Sequence, residues 1–432
     1  MRVEGAEEST PGRIRTCDLS FRKAVLYPTE LQGHAPIVGT LASVGTHFGT
    51  EAELWRLIHN LTGRGRVQQA GEDQMTERRA FALVEALVVI CLAAVLLAVC
   101  LPTIQEQRRQ ASIKADLSNM RLIGQASAMY SGANAGRLFT FSWEAGQVPV
   151  TPNAELALAC AVLNPNSPGA ESRAGAIQHL DLVTHGIKDE RLTPNLSTVA
   201  AGFAPYPLYN HLVLAHFVGE TLPSDLFISR GDKHRTYWLN HIDEYLDDPR
   251  SSPARPPSAQ TSFNQLWRWA FSSSYQVGVS HYSNDIGSTG NSPLPMTAQR
   301  ATNHLSWVLP NRAGVLGHRN AAEVAFPSMK VMMFDEYDRY NATGRQFFGL
   351  DTSSSTMNFY DGHAARLATA DSNYGFIPND PTRGADTPDQ PTFVYFYSPI
   401  SWWDPPGAFR EAVPVRYDQT RGGLQGIDYP AK

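Results

Sequence analysis

The pattern of apolar and polar positions changes character twice along this chain. From Phe81 to Leu101 it is apolar apart from one charge, Glu85, and contains neither Gly nor Pro. These twenty-one positions, as a helix rising 1.5 Å per residue, span about 32 Å, the thickness of the hydrocarbon core of a bilayer. Arg78 and Arg79 precede the run and Pro102 ends it. The pattern then turns polar through Thr103-Ile104-Gln105-Glu106-Gln107-Arg108-Arg109, so the chain has left the apolar layer. Next, Ile113, Leu117, Met120, Gly124 and Ser127 recur at spacings of three and four. That is one stripe on a helix predicted to continue to residue 131, with its apolar face on a globular body and its polar face wet. Ser131-Gly132-Ala133-Asn134-Ala135-Gly136 supplies a stop whose residues tolerate positive φ.

After about residue 140 Pro, Asn, Ser, Gly and aromatics dominate, and the helical period appears only in short stretches. Short helices are predicted over 155–164, 209–218 and 241–246, and strands over 330–334, 357–360, 364–368 and 392–397. Stretches 250–262 and 283–297 read as loops. No internal repeat is apparent. The expected fold class is α+β: a long N-terminal α-helix, transmembrane in its first half and amphipathic in its second, packed on a loop-rich domain with an antiparallel β-sheet.

Residues 1–74 read differently. Arg13-Ile14-Arg15-Thr16 can be encoded by CGG ATT CGA ACC, and Tyr27-Pro28-Thr29-Glu30-Leu31 by TAC CCA ACT GAG CTA. These are the complements of a tRNA T-arm and D-arm, at about the separation those arms have in a tRNA gene. The expectation is that 1–74 is spurious translation or a disordered extension, with Met75 as the working start. Glu72-Asp73 can be encoded by a ribosome-binding sequence just before it. Such a segment is left out of fold reasoning.

The lone charge, Glu85, carries the functional argument. A carboxylate inside a membrane helix costs about 2.5–3.5 kcal/mol on insertion scales, so it needs a partner. If the chain were cut between Ala80 and Phe81, the new amino group of Phe81 would be cationic, one helical turn from Glu85. In a bundle of identical helices, Glu85 of one copy would meet the Phe81 amine of the next. The segment resembles the prepilin-type cleavage and methylation motif of type IV pilins and type II secretion pseudopilins: a short basic leader, a small residue, Phe, three residues, Glu, and an apolar helix. Asn119-Met120-Arg121-Leu122-Ile123-Gly124-Gln125-Ala126, then Tyr130, Asn134 and Gly136-Arg137-Leu138-Phe139, resembles the second half of a pseudopilin helix. Ala80 departs from the family, which prefers Gly there, and slower processing is expected.

The resemblance implies a leader at 75–80 cut by a prepilin peptidase at Ala80/Phe81 and N-methylation of Phe81. It implies a transmembrane helix at 81–102, its amphipathic continuation at 103–131 and an exported domain at 132–432. It further implies a structural subunit, not an enzyme. That subunit would sit single-pass in the inner membrane, its C-terminal domain in the periplasm or outside the cell. It would assemble with other pseudopilins or with copies of itself in a type II secretion or type IV pilus-like filament, with Glu85 as the assembly residue. Arginines flank both ends of the apolar run, so the positive-inside rule gives little orientation, and the inside placement of the N-terminus rests on the resemblance. The alternative is a membrane-tethered periplasmic enzyme or carbohydrate-binding protein that uses the helix as a signal anchor.

Other chemistry is sparse. The net charge of −5 indicates no large basic surface for nucleic acid. Of four cysteines, Cys91 and Cys100 fall in the apolar run, Cys160 in an apolar stretch and Cys17 in the N-terminal extension, so no pair has metal or disulfide spacing. Met357-Asn358-Phe359-Tyr360-Asp361-Gly362-His363-Ala364 reads as strand, turn, strand, and Asp361-Gly362 suits a type I′ turn. This resembles the Asp-Gly-His hairpin of large planctomycete-type prepilin-like proteins, as does Phe326-Pro327-Ser328-Met329-Lys330-Val331. Where many members carry a His ten residues before that Asp, this chain has Asp351. The expected role of His363 is a solvent-facing turn residue. Asp335, Glu336 and Asp338 are a weak Ca²⁺ candidate, because they lack the alternating oxygens and Gly of a calcium loop. A solvated acidic turn is expected there, and no cofactor is expected. His304, His318, His363, Asp335 and Asp361 match no known hydrolase spacing. Trp267, Trp269, Trp307, Trp402 and Trp403 are read as core before sugar-stacking surface, and Asn341-Ala342-Thr343 as an uninformative sequon.

Overall fold

The computed structural model describes residues 72–187, 192, 203–219, 221–257, 266–283, 298–299, 307–308, 316–341, 343–375, 394–397, 400, 402–405 and 411–430. The chain divides into two units, Met1–Val95 and Leu96–Lys432. What is described of the first is helix throughout. The long helix α1, Glu72–Ala133, begins there and runs on into the second unit through Pro102.

The second unit is α+β. Its helices after α1 are α2 (Ala154–Ala161), α3 (Ala170–Ile187), α4 (Tyr206–Tyr209), α5 (Ala215–Val218), α6 (Lys233–Asn240) and α7 (Ile242–Asp247). Its strands are β1 (Tyr275–Val277), β2 (Ala298–Gln299), β3 (Trp307–Val308), β4 (Val331–Asp335), β5 (Tyr337–Asp338), β6 (Gln346–Phe347), β7 (Ser354–Phe359), β8 (Ala364–Ala368), β9 (Val394–Tyr397) and β10 (Glu411–Pro414). The main sheet is antiparallel in the order β1-β4-β7-β8, and β2–β3, β5–β6 and β9–β10 are separate two-stranded pairs. In β4–β7, Val331 faces Phe359 and Phe334 faces Met357, with a bulge between Val331 and Met333.

Strand β4 is buried along its whole length and serves two cores. Met332 and Met333 join the larger one, with Met120, Ile123 and Ala126 of α1. Val331 and Phe334 join the smaller, with Phe348, Met357, Phe359 and Tyr417. A strand covered on both faces has no polar side to show, which is why it reads as the continuous run Val-Met-Met-Phe rather than an alternation.

Helix α3 is the main departure from the expected layout, which placed no helix there. Its eighteen residues bury Ala174, Ile177, Leu180 and Val183, and also Glu171, Ser172, Gln178 and His179. A helix wrapped on most sides carries no single apolar stripe, so its period is silent in the sequence. Gly175 lies within it because a Cβ there would stand 2.7 Å from the Tyr206 hydroxyl oxygen. The expected helix over 209–218 is instead α4, a 3₁₀ turn and α5 in succession.

Candidate functional site

The residues singled out for processing and assembly lie on α1. The backbone of Ala80 and Phe81 is helical; their side chains lie outside what the structure describes. Glu85 is exposed one turn on, and no partner for it occurs among the described residues. Beyond it the described large apolar side chains from Leu87 to Leu101 are 49–68 % exposed. Among the described residues, one helix is long and apolar enough to cross a membrane.

From Ile113 onward the same helix is seated. Ile113, Met120, Ile123, Ala126 and Ser127 are buried, and Leu117 packs against the core that Met120, Ile123 and Ala126 join. Burying each of the larger of these side chains contributes about 1.5–3 kcal/mol. In the middle of this face lies Asp116, fully buried. It accepts hydrogen bonds from the Ser229 hydroxyl (2.6 Å), the Arg230 amide (2.9 Å) and the Tyr340 hydroxyl (2.7 Å). Three donors from two loops offset the cost of burying the carboxylate and lock the rotation of the helix. About two turns earlier, Arg109 donates to the Tyr340 carbonyl (2.9 Å).

The β7–β8 hairpin forms the other half of the seat. Asn358 on β7 donates its side-chain amide to the Met120 carbonyl of α1 (2.9 Å) and to the Gly362 carbonyl (3.3 Å). Gly124 lets the hairpin approach, since a Cβ there would stand 2.7 Å from Asn358 Nδ2 and 3.2 Å from the Gly362 backbone. At the end of α1, Ala135 (φ 53°) and Gly136 (φ 80°) reverse the chain, and the Gly136 amide donates to the Ser131 carbonyl (2.8 Å). Just beyond, His281 is buried between Phe139 and Tyr360. Its Nε2 lies 2.9 Å from the Phe139 carbonyl, which can only accept, so Nε2 carries the proton and Nδ1 accepts from the Tyr360 hydroxyl at 2.9 Å. Burial pushes its pKa down to about 3, consistent with this neutral tautomer.

The Asp-Gly turn differs from the expected type I′. Gly362 has φ 87°, but Asp361 does not take positive φ. The Gly362 amide donates to the Phe359 carbonyl and the Phe359 amide to the His363 carbonyl, both at 2.9 Å. This is a three-residue loop with a left-handed Gly, the G1-bulge arrangement. The Asp361 side chain explains the change. Its carboxylate accepts from the His363 amide (3.1 Å) and meets His363 Nδ1 (2.5 Å), an Asx-type closure available to an αR or β residue. His363 is partly exposed and stacks on Phe359 at 4.1 Å.

The acidic stretch overturns another expectation. Asp335, Glu336 and Asp338 are buried, not solvated. Asp335 faces Arg339 at 2.9 Å, and Arg339 also reaches Asp232 at 3.0 Å, itself paired with Arg235 at 2.8 Å. Asp338 takes Arg366 (2.8 Å) and the amides of Tyr340 and Ser354. Arg366 lies twenty-eight positions from Asp338 and Asp232 more than a hundred from Arg339, so the stretch with its one nearby arginine reads as a polar turn. Burial pushes the Asp335 pKa up to about 7, against the pull of Arg339. No cluster of three metal-ligating side chains occurs among the described residues.

The remaining candidates scatter. His318 faces Glu144 (3.5 Å), His363 faces Asp361, and His304 lies outside the described residues. Trp267, Trp269 and Trp403 are buried, Trp402 is 37 % exposed, and the Trp307 side chain is not among those described. The Asn341 amide donates to the Thr352 carbonyl (3.0 Å). Cys160 is buried and donates to the Glu144 carbonyl, and burial pushes its thiol up to about 11. Asp351 pairs with Arg416. Sequence reasoning passed over Asp116 and His281. The former had a signal: it stands three after Ile113 and four before Met120, an acid inside an apolar stripe.

No protein-family model matches the chain, and neither does any curated protein or solved structure.

Proposed function

We propose that the protein is a pseudopilin-like structural subunit, inserted single-pass in the inner membrane and cut before Phe81 by a prepilin peptidase. The observation that supports this reading most is Glu85. A carboxylate on an exposed, membrane-length apolar helix, without a partner among the described residues, stands four positions after the Phe that would carry the new amino terminus. A neighbouring copy, or another pseudopilin, supplies the cationic partner in the assembled filament. The firm seating of residues 113–127 suits this role, because a helix that transmits the position of a membrane anchor to an exported domain has to be fixed in rotation. The exported domain, residues 132–432, is large for a repeating subunit and fits a specialised or minor one.

The experiment is to determine the N-terminus of the protein purified from its host, by mass spectrometry, with and without the prepilin peptidase. N-methylated Phe81 that disappears in the peptidase-deficient strain is the expected result. An intact Met75, or a cut near Cys100, sinks the reading and reduces the helix to an anchor or signal.

A further inference from the structure

The Phe-Pro-Ser-Met-Lys stretch ends in a residue the pseudopilin reading does not use. Lys330 is 0 % exposed. Its ammonium lies 3.0 Å from Asp428 Oδ2 and donates to the Thr420 hydroxyl. The Thr420 hydroxyl in turn donates to Asp428 Oδ1 at 2.6 Å, and the Val331 amide donates to Asp428 Oδ2 at 2.8 Å. All three side chains are at most 2 % exposed. An amine, a carboxyl, a hydroxyl bridging them and a backbone N–H on the carboxyl oxygen are the components of an acyl-transfer site.

We propose that Lys330 and Asp428 react with each other to form an intramolecular amide. A proton passes from Nζ along the Thr420 hydroxyl to Oδ1, turning the ion pair into a neutral amine and a carboxylic acid. Nζ then attacks the Asp428 side-chain carbon, and negative charge develops on Oδ2, where the Val331 N–H already points. A second Nζ proton follows the same hydroxyl to Oδ1, the C–Oδ1 bond breaks, and water leaves. Three ammonium protons are accounted for, one on the amide nitrogen and two in the water, and no oxidant or cofactor is consumed.

Condensation in water is not favoured, but this pair is dry and pre-positioned. Well-oriented intramolecular reactions reach effective molarities of about 10⁵–10⁸ M. The bond would join residues 98 positions apart, tying the C-terminal segment to β4 at the edge of the smaller core.

The test is peptide-level mass spectrometry on the full-length protein, extracted in detergent and denatured before digestion. This readout is independent of processing at Phe81. The expected product is a branched peptide containing Lys330 and Asp428, lighter than its parts by one water. Recovery of Lys330 and Asp428 only in separate linear peptides overturns the proposal and leaves a buried ion pair. Lys330→Arg retains a cation but forms no amide, so the branched species disappears and the variant migrates more slowly on a denaturing gel. Thr420→Val removes the hydroxyl; newly synthesised variant should form the bond at least tenfold more slowly, and an unchanged rate overturns the proton path.

Discussion

Between Leu87 and Leu101 the described large apolar side chains of helix α1 are exposed, whereas between Ile113 and Ser127 Ile113, Met120 and Ile123 are buried, Leu117 is half-buried and only Leu122 faces outward. Each half carries one acid that the apolar pattern does not call for. Asp116 in the seated half has three donors from its own chain. Glu85 in the exposed half has none among the described residues. The demand that a buried carboxylate be paired is met inside the fold for Asp116. On the proposed pseudopilin role, the same demand would fall on Glu85 in the membrane and be met by another molecule.

Substituting the two acids separates those roles. Glu85→Ala should leave the stability of the detergent-extracted protein unchanged and abolish its recovery in sheared filament fractions. Asp116→Ala should do the reverse in origin: it leaves two hydroxyls and an amide without their acceptor and costs about 3 kcal/mol or more of unfolding free energy. Urea denaturation of both variants checks this. A Glu85→Ala variant that still assembles would falsify the assigned role of that carboxylate.

Acid should destabilise the unit that holds the seated half through its buried histidines. His281 and His211 are buried and neutral, each pushed down to about 3 chiefly by burial, and His179 is held well below its ordinary value in the same way. The unfolded chain binds these protons near pH 6.5 and the folded chain does not. Their contribution to stability is therefore complete above about pH 6.5 and is lost as pH falls toward 3, by up to about 1.4 kcal/mol per pH unit for each site. Asp335 has the opposite sign. Its raised pKa makes a contribution that is complete below about 3.8 and fades as pH rises through about 7. Thermal melts from pH 8 to 4 should show falling midpoints. His281→Gln, which retains a donor for the Phe139 carbonyl, should flatten the acid limb; an unaltered limb removes His281 from the account.

How much of this was legible in the chain depends on where the determining partner lies. The helix, its stop at Gly136, and strands β4, β7 and β8 follow from local period and turn chemistry, and so does the stripe from Ile113 to Ser127. Helix α3 was not legible, because burial on most sides erases the stripe. The acidic stretch reads as a solvated turn because Arg366 and Asp232, which help enclose it, are distant in sequence, although Arg339, the partner of Asp335, is only four positions on. The sequence marks a turn at Asp361 but not its type, since the Asp361 side chain closes onto the His363 amide and its backbone does not take positive φ. Glu85 stood out because an acid in a membrane-length run conflicts with everything around it, whereas Asp116 sat in a helix where acids are ordinary.

Gly124 tests the seat at its tightest point. A methyl group there would meet Asn358 Nδ2 at 2.7 Å and the Gly362 backbone at 3.2 Å. The Asn358 amide can swing aside only by giving up its bond to the Met120 carbonyl, and the hairpin backbone cannot move without shifting β7 and β8. Gly124→Ala should therefore cost about 1–3 kcal/mol despite the better helix propensity of Ala, which alone would gain about 1 kcal/mol.

Gly362 at the hairpin tip gives the smallest effect and the sharpest contrast with Gly124. Nothing lies within 4 Å of where its Cβ would be, so packing is not at stake. Its φ of 87° is the whole reason for Gly. Gly362→Ala should cost about 1 kcal/mol through backbone strain, and Gly362→Asn less, because Asn tolerates the left-handed region. For Gly124 the order reverses in kind: Asn, being larger, should be worse than Ala. Chemical denaturation of the four variants reads both orders. If Gly362→Asn proved worse than Gly362→Ala, the hairpin tip would be packed against α1 more closely than the backbone shows, and the two glycines would share one role.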